Sequence, residues 1–462
     1  MITRKGFFLL LAAGLLAHPN LPAADGRELT LKPGDRILVM APHPDDEVLA
    51  CGGVIQRART MGLPVKVLFL TYGDSNQWSF AVYRKHFVLG TKNVEAMGMV
   101  RHDEAVSADK FLGLSPDQLV FLGYPDFRTM KIWTSAWGNN PPGKGMFTKA
   151  DSVPYTDAFR PGAPYKGEEI LKDITSVLLD FKPTKIFISH PADENPDHRA
   201  FYLFTRVALW TLKEKIQPEV YPYLIHYRFR RWPKPKGYHP ELPLEPPTFF
   251  SDQIPWSSFP LREPEIGEKY AALQQHKTQF KYSSGYLSRF VRQNELFGDF
   301  PSVVLPARDG EVVLNPPDAV SPEELPEELT DDEKARFVGF EKRRVTLENG
   351  RLVVTINYSR PLVGETAVSV DVFGYRSDTP FGEMPKLHIK LGALQHSVQD
   401  RGRSLPSSSL EVRRTPRQVI LRLPLDLLGN PEKVLTSARS YLLDMPLDWV
   451  SWRVIELPAD KP

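Results

Sequence analysis

The feature that most restricts this chain is a recurring unit in its first half: a short, mostly apolar run, then a polar turn, then a stretch with helical spacing. Arg36–Ala41, Val65–Thr71, Leu119–Gly123, Lys185–Ser189 and Tyr221–Phe229 are the apolar runs. Apolar runs without alternation fit strands buried on both faces, which is the environment of a parallel sheet. The stretches Glu47–Met61, Tyr83–Met97, Glu168–Phe181 and Asp197–Lys215 read as helices between them. Strands alternating with helices predict an α/β fold, a Rossmann-like, mostly parallel sheet flanked by helices over residues 25–300. Residues 127–166 and 230–262 read as loops, and a further helical segment is expected from Glu265 to about Phe297.

From Phe337 the period changes. Arg351–Tyr358, Ala367–Phe373, Lys386–Lys390 and Gln418–Pro424 alternate apolar with polar residues, so a C-terminal antiparallel β-sandwich is expected over 337–462. Residues 301–336, which include the acidic run PEELPEELTDDE, read as a linker. The sandwich is open to two roles, contact with a glycan or service as a spacer.

At the N-terminus, Arg4 and Lys5 precede an apolar stretch from Gly6 to Ala17, then Ala23 and Ala24 before Asp25. The stretch is shorter than the roughly 20 residues of a membrane-spanning helix, so residues 1–24 read as an export signal cleaved after Ala24. A periplasmic or extracellular protein with no transmembrane span is expected. Cys51 is the only cysteine, which excludes an internal disulfide and reads as a small buried apolar group. Lys and Arg total 58 against 56 Asp and Glu, with no basic run, so nucleic acid is not an expected partner.

Two polar clusters follow apolar strands and precede helices, at the sheet end where open α/β folds bind ligands. The first is Pro42-His43-Pro44-Asp45-Asp46-Glu47. An Asp here could cap the following helix, but a cap accounts for only one of His43, Asp45 and Asp46. Imidazole and carboxylate together suit Zn²⁺, and Fe²⁺ fits the same donors. The second cluster runs from Ser189 and His190 through Asp193, Asn195 and Asp197 to His198, which supplies a third donor.

Together the clusters resemble the PIG-L/LmbE-like family of de-N-acetylases, which act on N-acetylglucosaminyl-phosphatidylinositol and glucosaminyl-inositol substrates. The resemblance covers roughly residues 33–300. It implies that His43, Asp46 and His198 hold the metal and that Asp45 is the general base. It also implies an N-acetylated sugar or glycan as substrate. Arg101 with Glu104, and Asp126 after Gly123-Tyr124-Pro125, match segments whose Arg and Asp contact sugar hydroxyls in the family. His276-Lys277-Thr278-Gln279 matches a family helix near the site.

One position departs from the family pattern: Asn195 stands where the family's H-x-[DN]-H motif has its first His. Asn can donate a hydrogen bond to an oxyanion but cannot deliver a proton. Asp45 acting as both base and acid, or a proton from His190 or Asp193, would compensate. The departure also leaves room for an esterase or other amidase, or for a glycan-binding protein with an impaired site. Trp133, Trp137 and Tyr155 could stack on sugars or pack their own loop.

Overall fold

A computed structural model describes residues 27–75, 90–227, 232–251, 253–306, 310–315, 330–443 and 445–458. The expected export signal, the start of the helix expected from Tyr83 and most of the acidic run lie outside the described residues.

The first domain is a five-stranded parallel sheet. Its strands are β1 (Ile37–Ala41), β2 (Val65–Phe69), β3 (Leu119–Phe121), β4 (Lys185–Ser189) and β5 (Glu219–Tyr223), in spatial order β3-β2-β1-β4-β5. Every pairing is parallel. β1 and β4 are buried along their whole length, as the apolar sequence of β1 and the apolar centre of β4, Ile186-Phe187-Ile188, lead one to expect. The flanking helices are α1 (Asp46–Thr60), α2 (Thr91–Phe111), α3 (Thr129–Ser135), α4 (Gly167–Phe181), α5 (Pro196–Thr211), α6 (Glu263–Leu273) and α7 (Lys277–Leu287). The chain leaves β1 toward β2 on one side and later places β4 on the other. The carboxyl ends of β1 and β4 therefore border the crevice where strand order reverses.

The single helix expected from Glu265 to Phe297 is instead α6, α7 and the strand Asn294–Phe297, which pairs antiparallel with Ser257–Pro260. Helical spacing does not register the break at His276, because the next helix resumes the pattern at once.

The second domain packs two sheets face to face around its own core, which includes Val345, Val354, Val370, Ile389, Leu421 and Ile455. Pairing is antiparallel except at the edge strand Val303–Val304, which runs parallel to Met445–Glu456. Val312–Asn315 also joins an edge, so parts of the stretch read as a linker complete the sandwich. No helix among the described residues is long and apolar enough to cross a membrane.

Trp133 of α3 joins the two domains. It is fully buried, with ring centroids 5.2 Å from Phe381, 5.9 Å from Phe373 and 6.2 Å from Trp452 of the sandwich. Asn140 Nδ2 donates to the Arg401 carbonyl at 2.9 Å, and His388 Nε2 lies 2.7 Å from the Thr134 carbonyl. Trp133 and Trp137 thus form the hydrophobic seam between the domains. Tyr155 is buried too and donates to Asp74 at 2.6 Å. All three aromatics pack structure rather than face a ligand.

Candidate metal centre

Four of the five parallel strands deliver the side chains of the site to one end of the sheet. His43, Asp45 and Asp46 follow β1, and Asp126 follows β3. Asp193 and His198 follow β4, and His226 follows β5. The turn after β1 is held tightly. The Asp46 carboxylate accepts from the His43 backbone N–H at 2.9 Å, and Glu47 accepts from the Asp45 N–H at 2.9 Å. Asp45 has φ of 120°, a costly conformation for a residue with a Cβ, held by these bonds and by Arg101. Neither Asp acts as a side-chain cap of α1.

Three donor atoms converge. His43 Nδ1 lies 3.2 Å from Asp46 Oδ2, His198 Nε2 lies 3.0 Å from the same oxygen, and the two nitrogens are 3.3 Å apart. A tetrahedral ion with ligands at about 2.0–2.1 Å spaces its ligands by about 3.3 Å. A proton between two imidazole nitrogens and one carboxylate oxygen satisfies one pair at a time, whereas a divalent cation satisfies all three. The donor set therefore fits the metal that the sequence implies.

The outer nitrogens of both imidazoles meet carboxylates. His43 Nε2 lies 3.2 Å from Asp126 Oδ1 and 3.2 Å from Asp197 Oδ2, and His198 Nδ1 lies 3.2 Å from Asp193 Oδ2. Such partners fix ring orientation and tautomer and raise ligand basicity. Asp197 is itself anchored by the Thr129 N–H at 3.0 Å. Burial opposes charge on His198, yet the carboxylates of Asp193 and Asp46 bring it up to about 9. Burial also opposes charge on Asp46, but His198 and His43 hold it well below the usual carboxylate range.

Asp45 differs from Asp46. Burial pushes its carboxyl up to about 7, with Arg101 pulling the other way and Asp46 pushing up. Two adjacent carboxyls are thus separated, one fixed as an anion and one poised to exchange a proton near neutrality, a division typical of acid–base sites.

Arg101 lies in the middle of α2 and is buried. Its terminal nitrogens donate to the carbonyls of Gly73 at 2.8 Å and Pro44 at 2.6 Å, and it sits 3.6 Å from Asp45. It clamps the turn that carries Asp45 and also lines the cleft. Glu104 caps α7 by accepting from the Thr278 N–H at 2.9 Å and its hydroxyl at 2.7 Å. His276 faces Glu47, at 2.8 Å. Asn195 is the N-cap of α5: its side-chain oxygen accepts from the Asp197 N–H at 2.8 Å, leaving the amide nitrogen as donor.

His190 and Asp193, the two alternative proton sources, are both fully buried. Burial pushes His190 down to about 3, and its Nδ1 accepts from the Ala192 N–H. Asp193 is held well below the usual range by His198 and His226, against the effect of burial. His226 was not anticipated. Its Nδ1 lies 3.1 Å from Asp193 Oδ1, and it lines the cleft. It falls inside the run Tyr221–Phe229, which reads as strand throughout, whereas β5 ends at Tyr223 and leaves His226 in the loop at the sheet's carboxyl end.

The cleft over these residues measures about 460 Å³, within the range of roughly 300–1,000 Å³ usual for small-molecule sites. Gln279, Tyr282 and Tyr286 of α7 form its far wall.

The sequence profile of the PIG-L family, described as GlcNAc-PI de-N-acetylase, matches residues 38–209. These residues are a PIG-L domain. The match spans β1 to α5 and so contains every donor of the metal centre. A 1D-myo-inositol 2-acetamido-2-deoxy-alpha-D-glucopyranoside deacetylase of Rhodococcus opacus is 29% identical over 170 residues, covering 35% of this chain and 49% of that protein. Its namesake from Nocardia farcinica is 25% identical over 182 residues, covering 39% and 53%. The chain thus spans about half the length of the curated relatives it matches. Among solved structures, the N,N'-diacetylchitobiose deacetylase of Pyrococcus horikoshii aligns with a TM-score of 0.35 at 17% identity, over 57% of this chain and 82% of that one. The sandwich lies beyond the matched residues.

Proposed function

We propose that the protein is a metal-dependent hydrolase that removes the acetyl group from an N-acetylated sugar, in a glycan or glycoside. The reading rests on one observation above others: a three-donor metal centre beside a carboxyl poised near neutrality, inside a PIG-L domain. His43, Asp46 and His198 would hold the ion, with Zn²⁺ the expected metal and Fe²⁺ compatible. When bound, such an ion supplies Lewis acidity to the acetamide carbonyl and makes water easier to deprotonate.

The protein residues do the rest. Asp45 takes a proton from the attacking water. The Asn195 amide donates a hydrogen bond toward the oxygen that gains negative charge. Asp45, now protonated, returns the proton to the leaving nitrogen as the C–N bond breaks, giving acetate and a free amine. A pKa near 7 suits both halves of this exchange. Asp193 holds His198, while Asp126 and Asp197 hold His43. Arg101 keeps the Asp45 turn in place. His226, whose ring burial pushes down from its ordinary value, serves as a neutral hydrogen-bonding group at the cleft wall.

Acetate release from N-acetylglucosamine-containing glycans tests the reading, with protein compared as purified, after chelation and after Zn²⁺ restoration. Release that chelation stops and Zn²⁺ restores is expected. Release of an alcohol from ester substrates, with none from amides, would replace deacetylation with esterase chemistry. We also propose that the enzyme acts after export. The mass of the exported protein should then begin at Asp25, and a mature chain retaining Arg4 and Lys5 would refute this.

A further inference from the structure

A second cavity, of about 690 Å³, lies between the PIG-L domain and the sandwich. Phe127 and Pro196 belong to its wall and to the wall of the metal-site cleft, so the two hollows share a boundary. Phe127 is 39% exposed, and its ring centroid is 6.3 Å from that of His43. An exposed aromatic at that boundary offers a flat apolar face to a sugar ring passing from one hollow to the other.

The charge in this cavity is one-sided. Lys131 and Arg199 reach it from the PIG-L domain, and Lys390 and Arg439 from the sandwich. Among the described residues, none of these four forms an ion pair with a carboxylate. The cavity's own acid, Asp371, is taken up by His388, whose Nδ1 lies 2.7 Å from Asp371 Oδ1. Arg199 is the most telling. It follows His198 directly on α5 and is only 9% exposed. Its Nε lacks a hydrogen-bond partner, and its guanidinium lies 4.2 Å from the centre of the Trp449 ring. Burial and Arg439 disfavour its charge, and Asp193, Glu194 and Asp197 favour it without closing to an ion pair, so the guanidinium keeps hydrogen-bonding capacity in a setting where leaving it unused is costly. An anionic ligand entering the cavity would remove that cost.

We infer that the interdomain cavity is the second half of the substrate cleft and binds the anionic part of an extended glycan. The N-acetylated sugar sits at the metal centre, and a neighbouring unit bearing a carboxylate or phosphate meets Arg199, Lys390 and Arg439. The inference rests on the deacetylase reading and adds the substrate's class. It also gives the sandwich a function: it supplies half of the cationic wall.

The test uses full-length protein carrying Asp45→Asn, so that ligands are not consumed. Binding is measured by calorimetry for three probes: a tetrasaccharide alternating N-acetylglucosamine with glucuronic acid, diacetylchitobiose 6-phosphate, and neutral chitotetraose. At least one anionic probe should bind tenfold or more tighter than chitotetraose, with the advantage shrinking as salt rises. Whether the carboxylate or the phosphate probe gains identifies the source of the charge. Adding Lys390→Glu and Arg439→Glu, both exposed on the sandwich, should abolish the advantage and leave chitotetraose affinity within about twofold. No anionic preference, or a preference that survives these two changes, overturns the inference. Acetate release by the unmutated protein from the same probes runs in parallel. Release without anionic preference sinks this inference alone, and anionic preference without release from any probe sinks the deacetylase reading alone.

Discussion

Asp193 stands behind His198, and its replacement should weaken the metal centre in two graded steps. The carboxylate accepts three backbone N–H groups: Asn195 at 2.9 Å on Oδ1, and Ile225 at 3.1 Å and His226 at 2.9 Å on Oδ2. Oδ2 also lies 3.2 Å from His198 Nδ1. In Asp193→Asn the side-chain oxygen will settle at the Oδ2 position, because turning it the other way would strand two backbone donors instead of one. The variant therefore keeps an acceptor for His198 but loses its charge and leaves the Asn195 N–H unpaired. One stranded buried donor costs about 1–3 kcal/mol of stability. Losing an outer partner of a metal-bound imidazole typically weakens the metal about 10–100-fold. Asp193→Asn should lie near the lower end of that range and Asp193→Ala near the upper, a step of about 1.4 kcal/mol in binding between them. Asp193→Ala also strands all three backbone donors and should unfold first on heating. Competition for Zn²⁺ against a chromophoric chelator, with circular dichroism to establish folding, reads both effects. A folded Asp193→Ala protein with unaltered zinc affinity would refute the reasoning, as would an Asn variant weaker than the Ala variant.

Other consequences can be measured independently. Asp45→Asn should lower acetate release by roughly 10²–10⁴-fold without changing metal content, and retained turnover would remove Asp45 as the base. In the metal-free protein, the Asp45 carboxyl rises from its ordinary 3.8 to about 7 on folding. The folded state then holds a proton that the unfolded chain has already released. The associated stability is complete below pH 3.8 and is lost as pH rises toward about 7. Asp45→Asn should consequently gain stability relative to the unmutated apoprotein between pH 5 and 8. Equal urea midpoint differences at the two pH values would contradict the shift. Trp133→Ala should cost about 3–5 kcal/mol, since it empties a fully buried aromatic site at the domain seam. Calorimetry should show the two domains unfolding in separate steps, and a cost below about 1 kcal/mol would mean that the seam does not couple them.

Much of the architecture was legible from periodicity. β1 and the centre of β4 carry consecutive apolar residues because both faces of a central parallel strand are covered, and Arg351–Tyr358 and Gln418–Pro424 alternate because one face of a sandwich strand meets solvent. The sandwich strands Phe340–Glu348 and Lys433–Leu442 escaped notice because their buried positions include Arg343, Thr436, Ser437 and Ser440. Those side chains carry no apolar signal, although the fold satisfies them internally. The donors His43, Asp46 and His198 were readable because two local motifs carry them. Each motif spans a strand end and a helix start, a geometry that short-range sequence specifies.

What surrounds those donors depends on distant parts of the chain. Asp126 from the loop after β3 and Asp197 from the first turn of α5 meet at His43, and His226 meets Asp193 from the loop after β5. Arg101 could be read as a sugar contact from its motif, but that its two terminal nitrogens donate to the carbonyls of Gly73 and Pro44 while it lines the cleft is visible only in the fold. The split between Asp45 and Asp46 is likewise a tertiary property. The two residues are chemically identical and adjacent, and only burial and the placement of His43, His198 and Arg101 push one carboxyl up and hold the other down. Residue type and spacing determined which groups are present, because both are local. Charge state and partner were decided by packing, because electrostatic interaction and desolvation depend on distance in space rather than along the chain.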